Sequence, residues 1–333
     1  MRLATVLTPL SDYHLTLAAQ CGVQDITVRY PGPDLTRLGE LKRQIERHGL
    51  RLAIVEGYLP IERLKLGRDD GSELAALKAL LREMGRLDIP LLCYNFMAGT
   101  DWVRTRLDAP ERGGARVTEF NLAAAERAVS LSATAGTIGS EHISAGALWT
   151  NLERVLRALL PVAEECGVFL AMHPDDPPLA EFQGKARIMN SVANFERLVQ
   201  LVPSRHNGIC FCQGTFAALG LDIPATIRRF GPHIRYVHFR DVRGTGPGQF
   251  VETFHDNGPT DMVAAMAAYR EIGFTGPMRP DHVPQLIGEE EGEPGYTMLG
   301  RLFAYGYMRG LMQATERGVS GRGLPATLIP PSR

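Results

Sequence analysis

Short apolar runs alternate with amphipathic stretches along most of this chain. The runs have the length and composition of β-strands, and the stretches between them have helical periodicity. The apolar runs are RLATVL (2–7), DITVR (25–29), LRLAIVEG (50–57), IPLLCYNF (89–96), VFLAMHP (168–174), GICFCQG (208–214), IRYVHFRD (234–241) and GPMRPDH (276–282). Helical patterns include 35–49, 73–87, 122–136, 151–167 and 191–202. The alternation predicts parallel βαβ units, and eight strand runs favour a closed (β/α)8 TIM barrel, an α/β fold, over an open sheet.

Two segments depart from this alternation. Residues 97–117, rich in Gly, Arg and Thr, follow the fourth run and predict a long βα loop of the kind that builds barrel active sites. The Gly and Pro spacing near the end suits neither helix nor strand and predicts an extended tail. We therefore expect one catalytic barrel domain over 1–316 and a tail over 317–333.

Composition limits the partners that this chain can have. Its 333 residues are 44% apolar and 22% charged, and the net charge of -1 gives no basic field for nucleic acid. No apolar run approaches the roughly 18 residues of a membrane span. Five scattered cysteines and a start without a signal-like segment favour a reduced, cytoplasmic protein. A small-molecule partner is the expectation.

Four late strand runs end in residues that can bind a metal: His173, Cys212, His238 and Asp281. In a barrel these strand ends meet at one pocket. Strand alternation puts Cys210 and Cys212 on the same side, and the latter is nearer the C-terminal mouth. Each residue alone is more often structural, but the joint pattern predicts a metal site. The donor softness suits Zn2+, and Fe2+ or Mn2+ also fit a site with open positions.

Several stretches resemble mannonate dehydratases, a xylose-isomerase-like TIM-barrel family. They are LKLG (64–67), CYNFMAGTDWVRT (93–105), MHPDDPP (172–178), RHNGICFCQGT (205–215), RYVHFRDV (235–242), TFH (253–255), DM (261–262), RPDH (279–282) and PGY (294–296). The resemblance implies Mn2+ on the four ligands, His282 and Tyr296 at the reacting carbons, and a homo-oligomer. It also implies the reaction, loss of water from D-mannonate to give 2-dehydro-3-deoxy-D-gluconate in hexuronate breakdown. The first strand, RLATVLTPL, lacks the aromatic pair and glycine of the family's RWYG-type strand, which leaves the sugar acid itself open.

A further set of polar and aromatic residues near the strand ends is predicted to contact the substrate. The arginines are candidates to grip a carboxylate, with structural ion pairs as the alternative. The groups that end strands three and four are candidates for substrate hydroxyls, with a solvated loop as the alternative. The aspartate after His173 is a candidate for orienting an imidazole or capping the next helix, and the tryptophan for a pocket wall or a loop anchor. These residues are Arg240, Arg279, Asn95, Glu56, Asp175 and Trp102.

Three functions fit these features. The first is a metal-dependent dehydratase, in which His282 and Tyr296 share the roles of general base and general acid. The second is a sugar isomerase or epimerase of the same barrel superfamily, whose members commonly use more carboxylate ligands. The third is a sugar-acid sensor without catalysis, against which the complete set of metal and tyrosine positions counts.

Overall fold

A computed structural model describes residues 1–131 and 142–319. The strands of the described chain are β1 (Arg2–Val6), β2 (Asp25–Val28), β3 (Arg51–Glu56), β4 (Leu91–Tyr94), β5 (Val103–Arg104), β6 (Arg106–Pro110), β7 (Arg116–Asn121), β8 (Val129–Ser130), β9 (Phe169–Met172), β10 (Glu181–Phe182), β11 (Lys185–Ala186), β12 (Asn207–Cys212), β13 (Ile234–Phe239), β14 (Val242–Gly246), β15 (Gln249–Glu252) and β16 (Pro277–Pro280). Eight of them are parallel and close into a barrel in the order β1-β16-β13-β12-β9-β4-β3-β2. All eight predicted apolar runs form the barrel strands, so the predicted TIM barrel is confirmed.

Helices surround the barrel and follow most of its strands. They are α1 (Asp12–Gln20), α2 (Thr36–Glu46), α3 (Glu62–Leu66), α4 (Ser72–Arg86), α5 (Ala145–Glu165), α6 (Val192–Leu201), α7 (Gln213–Ala218), α8 (Ile223–Phe230), α9 (Met262–Glu271) and α10 (Met298–Val319), with 3-10 turns at Arg112–Gly114, Leu122–Arg127 and Gly231–His233. In the described part of the chain, no helix is long and apolar enough to cross a membrane.

Local sequence fixes where several helices begin and end. The side-chain oxygens of Ser144, Ser191 and Asp261 accept the backbone N–H three residues later, which satisfies a free donor in the first turn of each helix. Gly49 and Gly167 have φ of 71° and 67° just before β3 and β9, a conformation that glycine adopts at little cost.

The alternation of side chains along the barrel strands separates two apolar layers. Phe211 points outward and stacks on Phe216 of α7 with the ring centres 4.6 Å apart. Its neighbour Cys210 points inward and is buried with Ala4 and Tyr236 inside the barrel. This arrangement confirms the alternation on which the choice of Cys212 rested, because Cys212 lies on the inward face at the mouth.

The helix predicted over 122–136 is wrong for the part that the structure describes. Residues Leu122–Arg127 form 3-10 turns, and β8 then pairs with β5. The run of alanines favours a helix, but the backbone of Ala124 is not helical, and pairing with β5 prevails. Residues 132–136 lie outside the described part.

The predicted long loop over 97–117 carries strands of its own. β6 and β7 join β14 and β15 in an antiparallel sheet of order β14-β15-β7-β6 beside the barrel mouth. The sheet brings two connections that are distant in sequence, one after β4 and one after β13, to the same side of the pocket. At the other end of the chain, α10 continues to Val319, three residues into the predicted tail; residues 320–333 lie outside the described part.

Candidate active site

Four strand ends bring the predicted metal ligands to the barrel mouth. His173 Nε2 lies 3.1 Å from His238 Nδ1, and donor atoms of these two residues and Cys212 lie within 4.8 Å of one another. Asp281 lies at the edge of this group, with Oδ2 3.6 Å from His238 Nδ1 and 3.9 Å from Cys212 Sγ. The structure thus brings all four side chains together, three of them in one tight cluster.

The electrostatics of the cluster favour a thiolate at Cys212. Burial alone raises the pKa of a thiol, but the positive charges of Arg240 and His173 outweigh burial and hold the pKa of Cys212 well below its usual value. Burial lowers the pKa of His173, but the Cys212 thiolate opposite outweighs it and raises that pKa to about 10. Thr215 Oγ1 also donates to Cys212 Sγ at 3.2 Å.

A second group of possible donors lies next to the first, deeper in the barrel. Cys93, Cys210 and His238 have donor atoms within 4.8 Å of one another. Burial raises the pKa of Cys210 well above its usual value, and its hydrogen bond with Cys93 acts in the same direction. The two cysteines therefore differ in charge, since Cys212 is held as a thiolate and Cys210 as a neutral thiol.

The two predicted catalytic side chains, His282 and Tyr296, lie on the same wall of the pocket. The ring of His282 stacks on Trp102 with centres 4.5 Å apart and planes 17° apart. The Tyr296 ring meets Trp102 edge-on at 5.2 Å and His282 at 5.9 Å. Trp102 therefore forms a wall that fixes both rings. The backbone φ of His282 is 43°, a left-handed conformation that is uncommon outside functional sites.

Glu252, at the end of β15, contacts the Nδ1 edge of the His282 ring. Its Oε1 lies 3.0 Å from His282 Nδ1. The same carboxylate accepts hydrogen bonds from Arg104 Nη2 at 2.6 Å and from Arg240 Nη1 at 2.9 and 3.0 Å. Burial raises the pKa of Glu252, but Arg240, His282 and Arg104 together lower it, so the carboxylate is ionised. An ionised carboxylate at Nδ1 selects the tautomer with the proton on Nδ1.

Arg240 lies behind the pocket wall. It forms structural ion pairs, the alternative to gripping the substrate carboxylate. It donates to Asp281 Oδ2 at 2.9 Å, to Asp176 Oδ2 at 2.8 Å and to Glu252. Its side chain passes Gly214, where an added Cβ would lie 2.4 Å from Nη1, so only glycine fits there. Arg240 therefore holds carboxylates in place and does not reach the pocket.

Arg279 lines the pocket but is also engaged by acidic side chains. Its Nη1 donates to Asp281 Oδ1 at 2.5 Å, and its Nη2 donates to Glu56 Oε1 at 3.1 Å. Glu56 Oε1 lies 3.1 Å from His238 Nε2 as well. Burial raises the pKa of Glu56, but Arg279 and His238 hold it well below its usual value. Glu56 and Arg279 thus link the metal-ligand cluster to the pocket wall.

The opposite wall is polar and comes from the ends of β3 and β4. Asn95 Oδ1 accepts from Lys65 Nζ at 2.9 Å, and its amide donates to Asp101 Oδ2 at 2.9 Å. All three side chains line the pocket. Asp175 does not line it, since its Oδ2 is buried against the backbone N–H of Met189 at 2.6 Å. Asp175 is therefore buried behind the pocket wall, where it does not face a substrate.

Known proteins resemble the chain over nearly its whole length. The family model described as D-mannonate dehydratase (UxuA) matches residues 15–321. The chain belongs to the D-mannonate dehydratase family. Mannonate dehydratase 2 of Halalkalibacterium halodurans is 36% identical over 298 residues, which are 83% of this chain and 86% of that protein. The mannonate dehydratase of Oceanobacillus iheyensis is 34% identical over 300 residues, or 84% and 85% of the two chains.

Solved structures separate this family from its barrel relatives. A mannonate dehydratase from Streptococcus suis superposes with a TM-score of 0.85 at 29% identity, covering 99% of each chain. An L-ribulose 3-epimerase superposes with a TM-score of 0.62 at 15% identity, covering 97% of this chain and 99% of that chain, and shows the shared fold alone. The comparisons therefore favour the dehydratase family over the isomerase or epimerase alternative.

The sequence patterns gave no role to several residues that shape this site. Arg104, Lys65 and Arg29 lie within stretches that were singled out, but none was assigned a role. Glu252 immediately precedes the TFH stretch and is the last residue of β15. Its position beside His282 depends on the hairpin that β14 and β15 form. The sequence does contain a signal for Arg29, because Arg29 ends the second apolar run just as the four predicted ligands lie at the ends of later runs.

Proposed function

We propose that this member of the mannonate dehydratase family removes water from D-mannonate and yields 2-dehydro-3-deoxy-D-gluconate. The observation that carries the proposal is the pairing of His282 with Glu252 beside Tyr296, in the same pocket as the His173, Cys212 and His238 cluster. Dehydration next to a carboxylate needs a base, an acid and positive charge, and one pocket holds candidates for each.

The residues of the cluster fit a divalent cation. The donors are two imidazoles, a thiolate and a nearby carboxylate, and the cation would take the place of the proton on His173. His173, Cys212, His238 and Asp281 would hold it, and we favour Mn2+, with Fe2+ and Zn2+ as alternatives. When bound, the cation supplies a Lewis acid that stabilises negative charge on the substrate oxygens.

His282 acts as the general base for the proton on C2. With its Nδ1 proton directed at the Glu252 carboxylate, Nε2 carries the free lone pair. Stacking on Trp102 fixes the plane of the imidazole, so the lone pair keeps one direction. The ionised Glu252 also stabilises the imidazolium that forms after proton transfer.

Tyr296 acts as the general acid for the C3 hydroxyl. Burial raises the pKa of Tyr296 above its usual value, so the phenol keeps its proton at neutral pH. The nearby charges of Arg279 and Arg29 act in the opposite direction and favour the phenolate that forms when the proton leaves. A protonated phenol with cationic neighbours suits proton donation to a departing hydroxyl.

Proton exchange with solvent tests this division of roles. Tyr296→Phe in D2O should still exchange the C2 proton of D-mannonate but form no keto acid, whereas His282→Gln should do neither. Wild-type enzyme, assayed in parallel for keto acid, tests the dehydration itself. Loss of exchange in Tyr296→Phe, with exchange retained in His282→Gln, would reverse the assignment.

We also propose that the protein acts on the free sugar acid, forms a homo-oligomer and works in the cytoplasm. The five cysteines are all free thiols, which supports a reducing compartment. Size-exclusion chromatography with light scattering measures the oligomeric state.

A further inference from the structure

Arg29 reaches the active-site pocket from the end of β2. Its guanidinium carbon lies 5.3 Å from the centre of the Tyr58 ring and 5.4 Å from the centre of the Tyr296 ring. The side chain is half-buried and lines the pocket together with both tyrosines. Aromatic faces hold a guanidinium in place without using its N–H donors.

The other pocket cations are occupied by acidic or amide groups. Lys65 Nζ donates to Glu62 Oε1 at 2.5 Å and to Asn95 Oδ1 at 2.9 Å. Arg279 donates to Glu56 and Asp281 at 3.1 and 2.5 Å.

Arg29 differs from both in what it contacts. It makes a long hydrogen bond of 3.5 Å from Nη1 to the backbone oxygen of Glu56. Within residues 1–131 and 142–319, no carboxylate forms an ion pair with it. Its side chain also takes part in a hydrogen bond with Tyr296. The remaining N–H groups of the guanidinium are available to an anion in the pocket.

Barrel topology places Arg29 beside the groups assigned to proton transfer. β1 lies between β2 and β16, and in the described chain it contributes no residue to the pocket wall. Arg29, from one side of β1, therefore meets Tyr296, from the other. An anion held by Arg29 lies next to Tyr296 and on the same wall as His282.

We propose that Arg29 binds the carboxylate of the sugar-acid substrate. This inference rests on the proposed function, in which the substrate is an aldonate whose carboxylate carbon is bonded to C2. Anchoring that carboxylate at Arg29 places C2 and C3 in the pocket lined by Tyr296 and His282, the two groups assigned to proton transfer. The guanidinium matches a carboxylate with two parallel hydrogen bonds, a geometry that an ammonium lacks.

Arg301 provides a matched control for effects that act through Tyr296. Its guanidinium carbon lies 5.2 Å from the centre of the Tyr296 ring, close to the distance for Arg29. Arg301 is buried and does not line the pocket. A variant at Arg301 therefore changes the charge around Tyr296 without removing a contact to substrate.

The test compares an anionic ligand with a neutral ligand of nearly the same shape. The 3-deoxy analogue of D-mannonate has no C3 hydroxyl to expel, and its primary amide is a neutral counterpart. Isothermal titration calorimetry measures both dissociation constants with the Mn2+-loaded full chain, for wild type, Arg29→Gln, Arg29→Lys and Arg301→Gln. Thermal unfolding and metal content of each variant verify the fold and the loading.

In Arg29→Gln, the affinity for the anion should fall about 10- to 100-fold, the loss expected for a charged hydrogen-bond pair, while the amide affinity stays nearly unchanged. Arg29→Lys should give an intermediate loss, and Arg301→Gln should leave the preference for the anion intact. Unchanged anion affinity in Arg29→Gln, or an equal loss for the amide, would overturn the proposal. Keto-acid formation by wild type is scored separately, so that failure of the dehydratase function is distinguished from failure of the Arg29 assignment.

Discussion

The substitution Glu252→Gln tests how the pocket prepares its base. The new side chain keeps the shape of the old one, and its amide oxygen takes the position of Oε1, towards which Arg104, Arg240 and His282 Nδ1 all point. The imidazolium that forms when His282 takes the C2 proton then lacks the ionised partner that stabilises it. Because general base catalysis contributes about 100- to 10,000-fold, we expect kcat to fall within that range.

The same change should also cost stability. The carboxylate of Glu252 accepts from Arg104 at 2.6 Å and from Arg240 at 2.9 and 3.0 Å, all of it buried. An amide in its place retains one acceptor oxygen but loses the charge, and hydrogen bonds to charged groups contribute about 1.5–3 kcal/mol each. We expect the free energy of unfolding to fall by roughly 2–4 kcal/mol, below the limit of about 5 kcal/mol for breaking a buried ion pair outright.

Asp176→Asn separates the two effects. Asp176 accepts from Arg104 at 2.7 Å and from Arg240 at 2.8 Å but makes no hydrogen bond to His282. It should lose similar stability in urea-induced unfolding and retain far more of kcat. The assay is keto-acid formation with saturating Mn2+ and D-mannonate, at a temperature well below both unfolding transitions. A Glu252→Gln enzyme with kcat close to that of Asp176→Asn would refute the argument that the ionised Glu252 stabilises the imidazolium of His282.

Three other substitutions probe different parts of the site. Cys212→Ser should lower bound metal per chain, measured by plasma emission spectrometry, because a neutral hydroxyl replaces a thiolate; full metal content with full activity would break the four-ligand proposal. Trp102→Leu should leave metal content unchanged and reduce kcat about 10-fold or more by releasing the His282 ring from its stack, and an unchanged kcat would remove that role. Gly214→Ala should lower the thermal midpoint by several degrees, since a Cβ there would lie 2.4 Å from Arg240 Nη1; a wild-type melting curve would show that Arg240 moves aside freely.

The barrel, and the meeting of four candidate ligands at its mouth, could be predicted because their signals are local. Each strand is a short apolar run, and His173, Cys212 and His238 stand at or just past the ends of such runs. The rule that strand ends meet at one face then supplies the long-range geometry. Strand alternation also separated Cys212 from Cys210, and the difference in their pKa values agrees with that choice.

The partners of His282 could not be predicted in this way. Glu252 reaches His282 only because β15 pairs with β7, a strand more than a hundred residues earlier in the chain. The predicted loop over 97–117 and helix over 122–136 contained no strand that could pair with β15, since alanine and glycine content reports local preference and not strand partners. For Arg240, the sequence favours a substrate contact and a structural ion pair equally. Only the folded positions of its carboxylate partners distinguish the two.

The mass of the product formed from C2-deuterated D-mannonate tests the central claim most directly. Wild-type protein is freed of metal with a chelator, reloaded with Mn2+ and incubated with the labelled acid in ordinary water. The account predicts a keto acid that has lost one water and the deuterium, and no such product before reloading. A product of the same mass as the substrate, or one that retains the deuterium at C2, would contradict dehydration by removal of the C2 proton.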